Sequence, residues 1–95
     1  MPTQEEPTHF DTCIVVGSNG HCWISKSAVY DGVWLHMNTA RIIRVWGTSQ
    51  GLNQLVNGPL KETVLDAPAN VVSLFHHAII AVIPSSDAQW QEHLQ

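Results

Sequence analysis

Glycine-containing turns divide this chain into short segments, and their spacing constrains the fold more than any other feature of the sequence. Residues 17–20 (GSNG) place four turn-forming residues in a row, and residues 31–32 (DG) fit a type I′ turn, in which both central positions need positive φ. Apolar segments lie on both sides of each turn, as in β-hairpins. The first half of the chain is therefore predicted to form antiparallel β-sheet.

The segments between the turns have the patterns of β-strands. Residues 33–38 (VWLHMN) alternate between two sets of side chains, so they are predicted to present two different faces of a strand. Further strands are predicted at residues 10–16, 21–30, 40–46, 71–75 and 77–83, with a short edge strand or loop at 60–66 and a break at Asn38-Thr39. Strands this short and this closely spaced predict a small antiparallel meander, either an SH3-like barrel or a curled sheet.

A first short helix is predicted after Gly47. The hydroxyl group of Thr48 or Ser49 fits the N-cap, and the apolar residues that follow have the i, i+3, i+4 spacing of one helical face. Residues 57–59 (NGP) form the stop signal, because a helix commonly ends at a glycine that is followed by proline. A helix of about two turns needs the sheet for its stability.

A second helix is predicted near the C-terminus. Ser86 and Gln89 have the three-residue spacing of a capping box. Trp90 and Leu94 lie four residues apart, so they form one apolar stripe that is expected to dock on the sheet. The predicted fold class is therefore mainly β with two short helices (α+β).

The composition indicates one small domain that associates with further copies of itself. Ninety-five residues suffice for a single domain. We predict a flexible N-terminal arm at residues 1–8 and one β-rich domain with a C-terminal helix at residues 9–95. Only 13% of the residues are charged, about half the usual share, so the chain has more apolar surface than so small a monomer buries well. A homo-oligomer is therefore expected.

The charges and the apolar runs argue against two classes of partner. With a net charge of −4 and only four Lys and Arg residues, the chain lacks the basic surface that nucleic acids require. The N-terminal sequence MPTQEEPTHF has neither the basic nor the apolar region of a signal peptide, and the longest apolar run is too short to span a membrane. We therefore expect no nucleic-acid partner, no membrane partner and a cytoplasmic location.

Neither metal binding nor catalysis is predicted. Cys13 and Cys22 flank a predicted turn and are interpreted as two buried thiols in neighbouring strands, and whether they meet stays open. The six histidines have no His-Glu-x-x-His spacing, and the sequence has no phosphate-binding loop, nucleophile elbow or paired catalytic carboxylates. We therefore predict a protein that is not an enzyme and needs no cofactor.

Residues 41–50 (RIIRVWGTSQ) form the strongest candidate ligand site. Two of the four basic residues precede a Trp-Gly step and a predicted helix N-terminus, whose unpaired N–H groups attract anions. A guanidinium holds a phosphate through two hydrogen bonds, and a tryptophan ring stacks on a base. The predicted ligand-binding residues here are Arg41, Arg44, Trp46, Gly47, Thr48, Ser49 and Gln50. The alternative is a purely structural corner, with Trp46 in the core, Arg44 in solvent and the cap serving only the helix.

Trp34 and His36 complete the predicted ligand-binding set. They alternate with core-type positions, so both are expected on the solvent-facing side of a strand. An exposed tryptophan on a sheet marks a subunit interface or a ligand platform, and the sequence favours the subunit interface.

Residues 40–55 (ARIIRVWGTSQGLNQL) resemble small proteins encoded by phages and mobile elements. The shared features are an arginine-bearing strand, a Trp-Gly step and a Leu-x-x-Leu helix. The similarity extends over roughly residues 14–94 and includes GPLKETVLD at 58–66. Some small phage proteins of comparable size and oligomeric habit sequester nucleotide-derived immune signals of bacterial defence systems without cleaving them, and the extension to this chain is by analogy.

The resemblance implies a non-catalytic, oligomeric phage-type protein in the cytoplasm of a bacterial host cell. Its ligand would be a small nucleotide-derived molecule, with Arg41 and Arg44 on the phosphates, Trp46 on a base and the residues after it completing an anion pocket. The alternative is a protein–protein interaction module, either an inhibitor or a structural component of a phage, that uses exposed tryptophan surfaces.

Overall fold

The computed structural model describes residues 7–18, 20–49 and 51–94, which form an antiparallel sheet. Its strands are β1 (Thr8–Phe10), β2 (Cys13–Gly17), β3 (Cys22–Tyr30), β4 (Trp34–Val45), β5 (Val64–Leu65), β6 (Ala69–Phe75) and β7 (Ile79–Pro84). The helical segments are short: the 3₁₀ helix Leu52–Asn57, the 3₁₀ turn His76–Ala78, and α1 (Asp87–Trp90), which continues as the 3₁₀ turn Gln91–His93. The prediction of a mainly β fold with short helices is confirmed.

The sheet is organised around its two longest strands, β3 and β4. The strand order is β5-β4-β3-β2-β7, and β1 and β6 lie beside β3 and β4 respectively. Because β4 has twelve residues, one of its edges accommodates two shorter strands, β6 along residues 34–40 and β5 along residues 43–45. The sheet is open, so of the two predicted forms it corresponds to the curled sheet and not to a closed barrel.

The predicted break at Asn38-Thr39 is wrong, because β4 continues through it. Asn38 lies opposite Ser27 and Ala40 opposite Ser25, so the pairing with β3 resumes in the same register after Thr39. The sequence signal nevertheless had a local cause, since Thr39 has a positive φ of 49°. The buried Ser25 hydroxyl lies 2.6 Å from the carbonyl oxygen of Ser27 and 3.2 Å from that of Asn38, and these contacts support the distorted part of the ladder.

The helix predicted to start at Thr48 or Ser49 begins later and has a different form. The segment Leu52–Asn57 is a 3₁₀ helix whose N-cap is Gly51, with φ 96° and no side-chain capping bond. The prediction of a hydroxyl N-cap is therefore wrong. The Ser49 N–H donates instead to the Gln54 side-chain oxygen at 3.1 Å, so a side chain of the helix itself holds the preceding loop in place.

The predicted C-terminal helix is present, although its capping box does not form. Ser86 is the N-cap of α1, but its side chain makes no capping bond, and its N–H donates to the Val56 carbonyl at 2.8 Å. Trp90 and Leu94 are both buried, as the predicted apolar stripe requires. A four-residue helix is not stable alone, so this docking determines where the C-terminal segment lies.

Two core clusters lie on opposite faces of β2, where Ile14 belongs to the first and Cys13 and Val15 to the second, because successive strand residues point to opposite sides. The first cluster contains Ile14, Cys22, Ile24, Ile43, Leu55, Trp90 and Leu94 and is covered by the helical segments. The second contains Cys13, Val15, Ala28, Leu35, Met37 and Ala40, with partly buried side chains of β6 and β7 packed against it.

The two cysteines are free, buried thiols in neighbouring strands, as predicted. Cys13 belongs to the second cluster and Cys22 to the first, so they lie on opposite faces of the sheet and do not meet. Burial raises the pKa of the Cys13 thiol to about 11, and the negative charge of Asp11 adds to this effect. Cys13 is therefore protonated and unreactive near neutral pH.

The ends of the chain bear on two further predictions. Residues 1–6 of the predicted N-terminal arm lie outside the described residues. Thr8, the last residue of that predicted arm, is the first residue of β1 and pairs with Tyr30 of β3. In the described part of the chain, no helix has the length and apolar character needed to cross a membrane.

Candidate functional site

Arg44, the first predicted phosphate ligand, is bound to a carboxylate of the protein itself. Its Nε donates to Asp66 Oδ1 at 2.6 Å and its Nη2 to Asp66 Oδ2 at 2.7 Å, in the two-bond geometry that a guanidinium also uses for phosphate. These hydrogen bonds lower the pKa of Asp66 and raise that of Arg44. A phosphate at Arg44 would therefore have to compete with a fixed carboxylate.

Arg41, the second predicted phosphate ligand, is anchored to uncharged groups. Its Nε donates to the Asp66 carbonyl oxygen at 2.6 Å, and its Nη1 to the His93 carbonyl oxygen at 3.1 Å. The side chain is half-buried and connects β4 to the segment after β5 and to the C-terminal segment. Arg41 thus has a structural role, yet no carboxylate contacts its charge among the described residues.

Trp46 and Gly47 lie where two stretches of backbone come close together. Trp46 is 40% exposed, its side chain hydrogen-bonds the Cys22 thiol, and its carbonyl accepts a hydrogen bond from the Thr63 hydroxyl at 2.6 Å. Gly47 has φ 66°, and a Cβ atom built there would lie 2.4 Å from the Glu62 carbonyl carbon. This corner therefore has a structural role. Trp46, which the alternative interpretation placed in the core, is half-exposed.

The predicted anion pocket after Gly47 has no helix N-terminus directly behind it. Thr48 and Ser49 precede Gly51 in a non-helical loop, and the Ser49 N–H is hydrogen-bonded to Gln54. Gln50 lies outside the described residues. Several hydrogen-bond donors of the predicted site, on Arg41, Arg44 and Ser49, are thus already bonded to acceptors within the protein. Ligand binding by these residues stays a prediction.

Trp34 and His36 do not belong to the same site as Trp46. They lie at the beginning of β4, and up to roughly 40 Å of extended strand separates Trp34 from Trp46. One small ligand cannot contact both ends, so the predicted nine-residue set divides into two separate surfaces.

Trp34 and His36 instead belong to an exposed surface formed with β6. Trp34 lies opposite Phe75, and their rings pack edge to face with centroids 5.5 Å apart. His36 lies opposite Ser73, with Nδ1 2.7 Å from the Ser73 hydroxyl oxygen, and Val71 continues the row at 61% exposure. We refer to Trp34, His36, Val71, Ser73 and Phe75 as the outer face.

The β6 half of the outer face was missed in the sequence interpretation. The alternation in VVSLF places Val71, Ser73 and Phe75 on one side of a strand, so the signal was present. The strand that lies beside β6 could not be predicted, because the partner of Phe75 is Trp34, forty-one positions earlier in the chain. His76 and His77 extend the aromatic contacts of Phe75, with ring centroids 4.5 and 5.4 Å from it.

The turn before the outer face is fixed by Asp31. Its Oδ1 accepts the N–H groups of Trp34 at 2.7 Å and Val33 at 2.9 Å, and its Oδ2 lies 3.2 Å from Nε2 of His36. These contacts lower the pKa of Asp31 to about 2, with the Trp34 N–H as the largest cause.

We expect acid to weaken this turn over a defined range. The folded-state pKa of Asp31 is lower than its ordinary value of 3.8, so its contribution to stability is present above about pH 3.8 and is lost as the pH falls through about 2. The stability advantage of the wild-type protein over Asp31→Asn should therefore shrink below about pH 4. The side-chain carboxyl carbon of Asp31, followed by NMR, gives its midpoint directly, and a midpoint of 3.8 or higher would contradict the prediction.

Among the residues that the structure describes, no group of three or more His, Cys, Asp or Glu side chains is arranged to hold a metal ion.

Comparison with known proteins identifies no relative of this chain. No protein-family model, no curated protein and no solved structure matches the chain. The resemblance to phage-encoded proteins therefore stays a prediction.

Proposed function

We propose that this protein is a non-catalytic interaction module that pairs with a second copy of itself along β6. The observation that carries the proposal is the free edge of this strand: β6 pairs only with β4 among the described residues. Its seven residues, ANVVSLF, contain no charge and no proline. A long, uncharged edge exposes a row of backbone N–H and C=O groups that a further strand can satisfy.

The other outer strands are less suited to such pairing. β1 and β5 have three and two residues, too few to define a register. β7 has six residues but ends in Pro84, which lacks an N–H group, and its pairing with β2 is irregular between Val16 and Gly17. β6 therefore offers the longest regular edge in the described part of the chain.

The outer face supplies apolar area beside this edge. Trp34 is 42% exposed and Phe75 is 40% exposed although their rings contact each other, so both retain surface that a partner could cover. Aromatic side chains of this kind are enriched at the centres of protein interfaces. Val71, at 61% exposure, extends the apolar surface along β6.

A second copy fits this surface better than a charged partner does. Two β6 strands related by a two-fold axis would pair antiparallel, with each contact made twice. The chain has a net charge of −4, yet β6 contains none of its charged residues, so pairing at this edge keeps like charges apart. The low charged content of 13% agrees with an oligomer.

The test is the molar mass in solution and its response to one charge. Light scattering should give a species of about 21 kDa, twice the 10.5 kDa chain, at high micromolar concentration. Val71→Lys should shift this species to monomer, because a lysine on the edge places like charges together across the two-fold axis. Ile80→Lys is the matched control: Ile80 is 67% exposed on β7, and its substitution should leave the dimer intact.

Other outcomes are equally informative. A monomeric wild-type protein at all concentrations would overturn self-pairing, and loss of the dimer in Ile80→Lys but not in Val71→Lys would move the interface to β7. Circular dichroism of both variants ensures that a change in mass reflects association and not unfolding.

Sequestration of a nucleotide-derived molecule at the Trp46 corner is favoured less by the geometry. Arg44 is engaged by Asp66, the Ser49 N–H by Gln54, and the helix that was to attract the phosphates begins only at Leu52. Sequestration would be supported if a cyclic nucleotide or an ADP-ribose derivative raised the melting temperature of the protein and Arg44→Ala abolished that rise.

A further inference from the structure

A hollow separate from the outer face brings together two of the four Lys and Arg residues. It has a volume of about 480 Å³ and lies between β4, the segment before β5 and the C-terminal 3₁₀ turn. The basic side chains at its lining are Arg41, Lys61 and His93, and the apolar ones include Leu60 and Leu65. Residues 26, 41, 44 and 61 are the only Lys and Arg positions, so this concentration of positive charge is local and not general.

Arg41 and Lys61 differ from Arg44 in that neither of them forms an ion pair with a described carboxylate. Arg44 is paired with the Asp66 carboxylate, whereas Arg41 donates to two backbone carbonyls, which carry no formal charge. Among the described residues, neither Arg41 nor Lys61 has a carboxylate within ion-pair distance. Asp66 also acts electrostatically on Arg41, but its two carboxylate oxygens are taken by Arg44.

Arg41 is also held in position before any ligand arrives. Its Nε and Nη1 are fixed at 2.6 and 3.1 Å from their acceptors, while Nη2 has no hydrogen-bond partner in the described ranges. A fixed guanidinium loses little conformational freedom on binding, which favours association. Lys61 is exposed and adds a second, adaptable charge.

We infer that this hollow binds a small anion attached to an apolar group, such as an aryl phosphate or an aromatic carboxylate. The anion would contact Nη2 of Arg41 and the Lys61 ammonium, and the apolar group would cover Leu60 and Leu65. This site shares Arg41 with the predicted ligand-binding set but lies apart from the Trp46 corner, and it is independent of pairing along β6.

Binding is tested with phenyl phosphate, observed by ¹H–¹⁵N NMR on the full chain. Shifts are expected at the amides of Lys61 and His93 and at the Arg41 Nε–H, with a Kd on the order of 1 mM. Inorganic phosphate should bind more weakly because it lacks the ring, and benzyl alcohol should cause no such shifts because it lacks the charge. Benzoate in a parallel titration tells whether a carboxylate or a phosphate ester is preferred.

Lys61→Gln should weaken the binding of phenyl phosphate roughly threefold to tenfold, because it removes one of the two charges. Lys26→Gln is the matched control: Lys26 is also exposed, but the hollow that it lines contains Asp11 and Asp87, so its substitution should leave the Kd unchanged. Equal Kd values for the two variants, or shifts that fall elsewhere in the spectrum, would overturn the site. An absence of shifts with both phenyl phosphate and benzoate would do so as well.

Discussion

Replacing Gly47 with alanine is expected to lower the free energy of unfolding by roughly 2–5 kcal/mol. The added Cβ would lie 2.4 Å from the carbonyl carbon of Glu62 and 2.6 Å from both the carbonyl oxygen of Glu62 and the nitrogen of Thr63. All three are backbone atoms, so no side-chain rotation relieves the overlap. The φ of 66° adds conformational strain, because residues with a Cβ rarely adopt this region.

Gly32→Ala is the control for the conformational strain of a Cβ-bearing residue at positive φ. Gly32 has φ 100°, and a Cβ atom there would meet no atom within 4 Å, so its substitution carries only the strain. In urea unfolding followed by circular dichroism, Gly47→Ala should be clearly less stable than Gly32→Ala. Equal losses of stability would contradict the close approach of residues 47 and 62. Since small domains have only about 5–15 kcal/mol in total, failure of Gly47→Ala to fold would agree with the prediction.

Gly47 also marks the boundary of what could be predicted from the sequence. The Trp-Gly step correctly predicted the end of a strand, because strand termination is a local property of the chain. The reason that only glycine fits is the backbone of Glu62, fifteen positions later, and no local pattern contains that contact. A residue assigned to an anion pocket from its neighbours in the sequence therefore has its clearest role in packing.

The same distinction between local and long-range contacts applies to the arginines. The sequence predicted that Arg41 and Arg44 lie on a strand close to the Trp-Gly step, and β4 confirms that placement. Their acceptors, Asp66 and His93, are brought there by the β4–β5 pairing and by the docking of the C-terminal segment. A carboxylate twenty-two positions away decides whether Arg44 is available to a ligand, so its availability was not accessible from the motif alone.

Turns and amphipathic stripes, in contrast, were predictable because their signals are short in range. A turn at 31–32 was correctly predicted between β3 and β4, but the predicted type I′ form is wrong, because Gly32 has a positive φ and Asp31 does not. The four-residue spacing of Trp90 and Leu94 correctly predicted a buried stripe. The pairing of β2 with β7 joins residues about seventy positions apart and was not predictable from periodicity. Periodicity identifies the buried side of an element, but the covering element depends on the whole chain.

Trp90→Ala is expected to remove about 3–5 kcal/mol from the free energy of unfolding, the second large effect. Trp90 has 0% exposure in the first core cluster, and its ring N–H donates to the Leu55 carbonyl at 2.9 Å. Alanine would leave a cavity and would also remove one of the two hydrogen bonds that the Leu55 carbonyl accepts, the other being from the Gly58 N–H. Because α1 has only four residues, loss of this anchor should release the whole C-terminal segment.

Trp34→Ala separates burial from the removal of a tryptophan as such. Trp34 is 42% exposed, so its loss should cost about 1 kcal/mol when unfolding is measured at low protein concentration, where the proposed pairing along β6 does not contribute. Far-UV circular dichroism is the suitable signal, because both variants change the fluorescence. Similar stabilities of the two alanine variants would contradict the docking of α1 on the sheet.

Trp90→Phe divides the effect of Trp90 into its two physical parts. Phenylalanine keeps much of the ring volume but has no donor for the Leu55 carbonyl, so its loss should lie between zero and that of Trp90→Ala. If Trp90→Phe is nearly as unstable as Trp90→Ala, the hydrogen bond from the ring governs the docking of α1. If it is close to wild type, apolar packing governs it, and the 3₁₀ helix Leu52–Asn57 and α1 are joined mainly through the first core cluster.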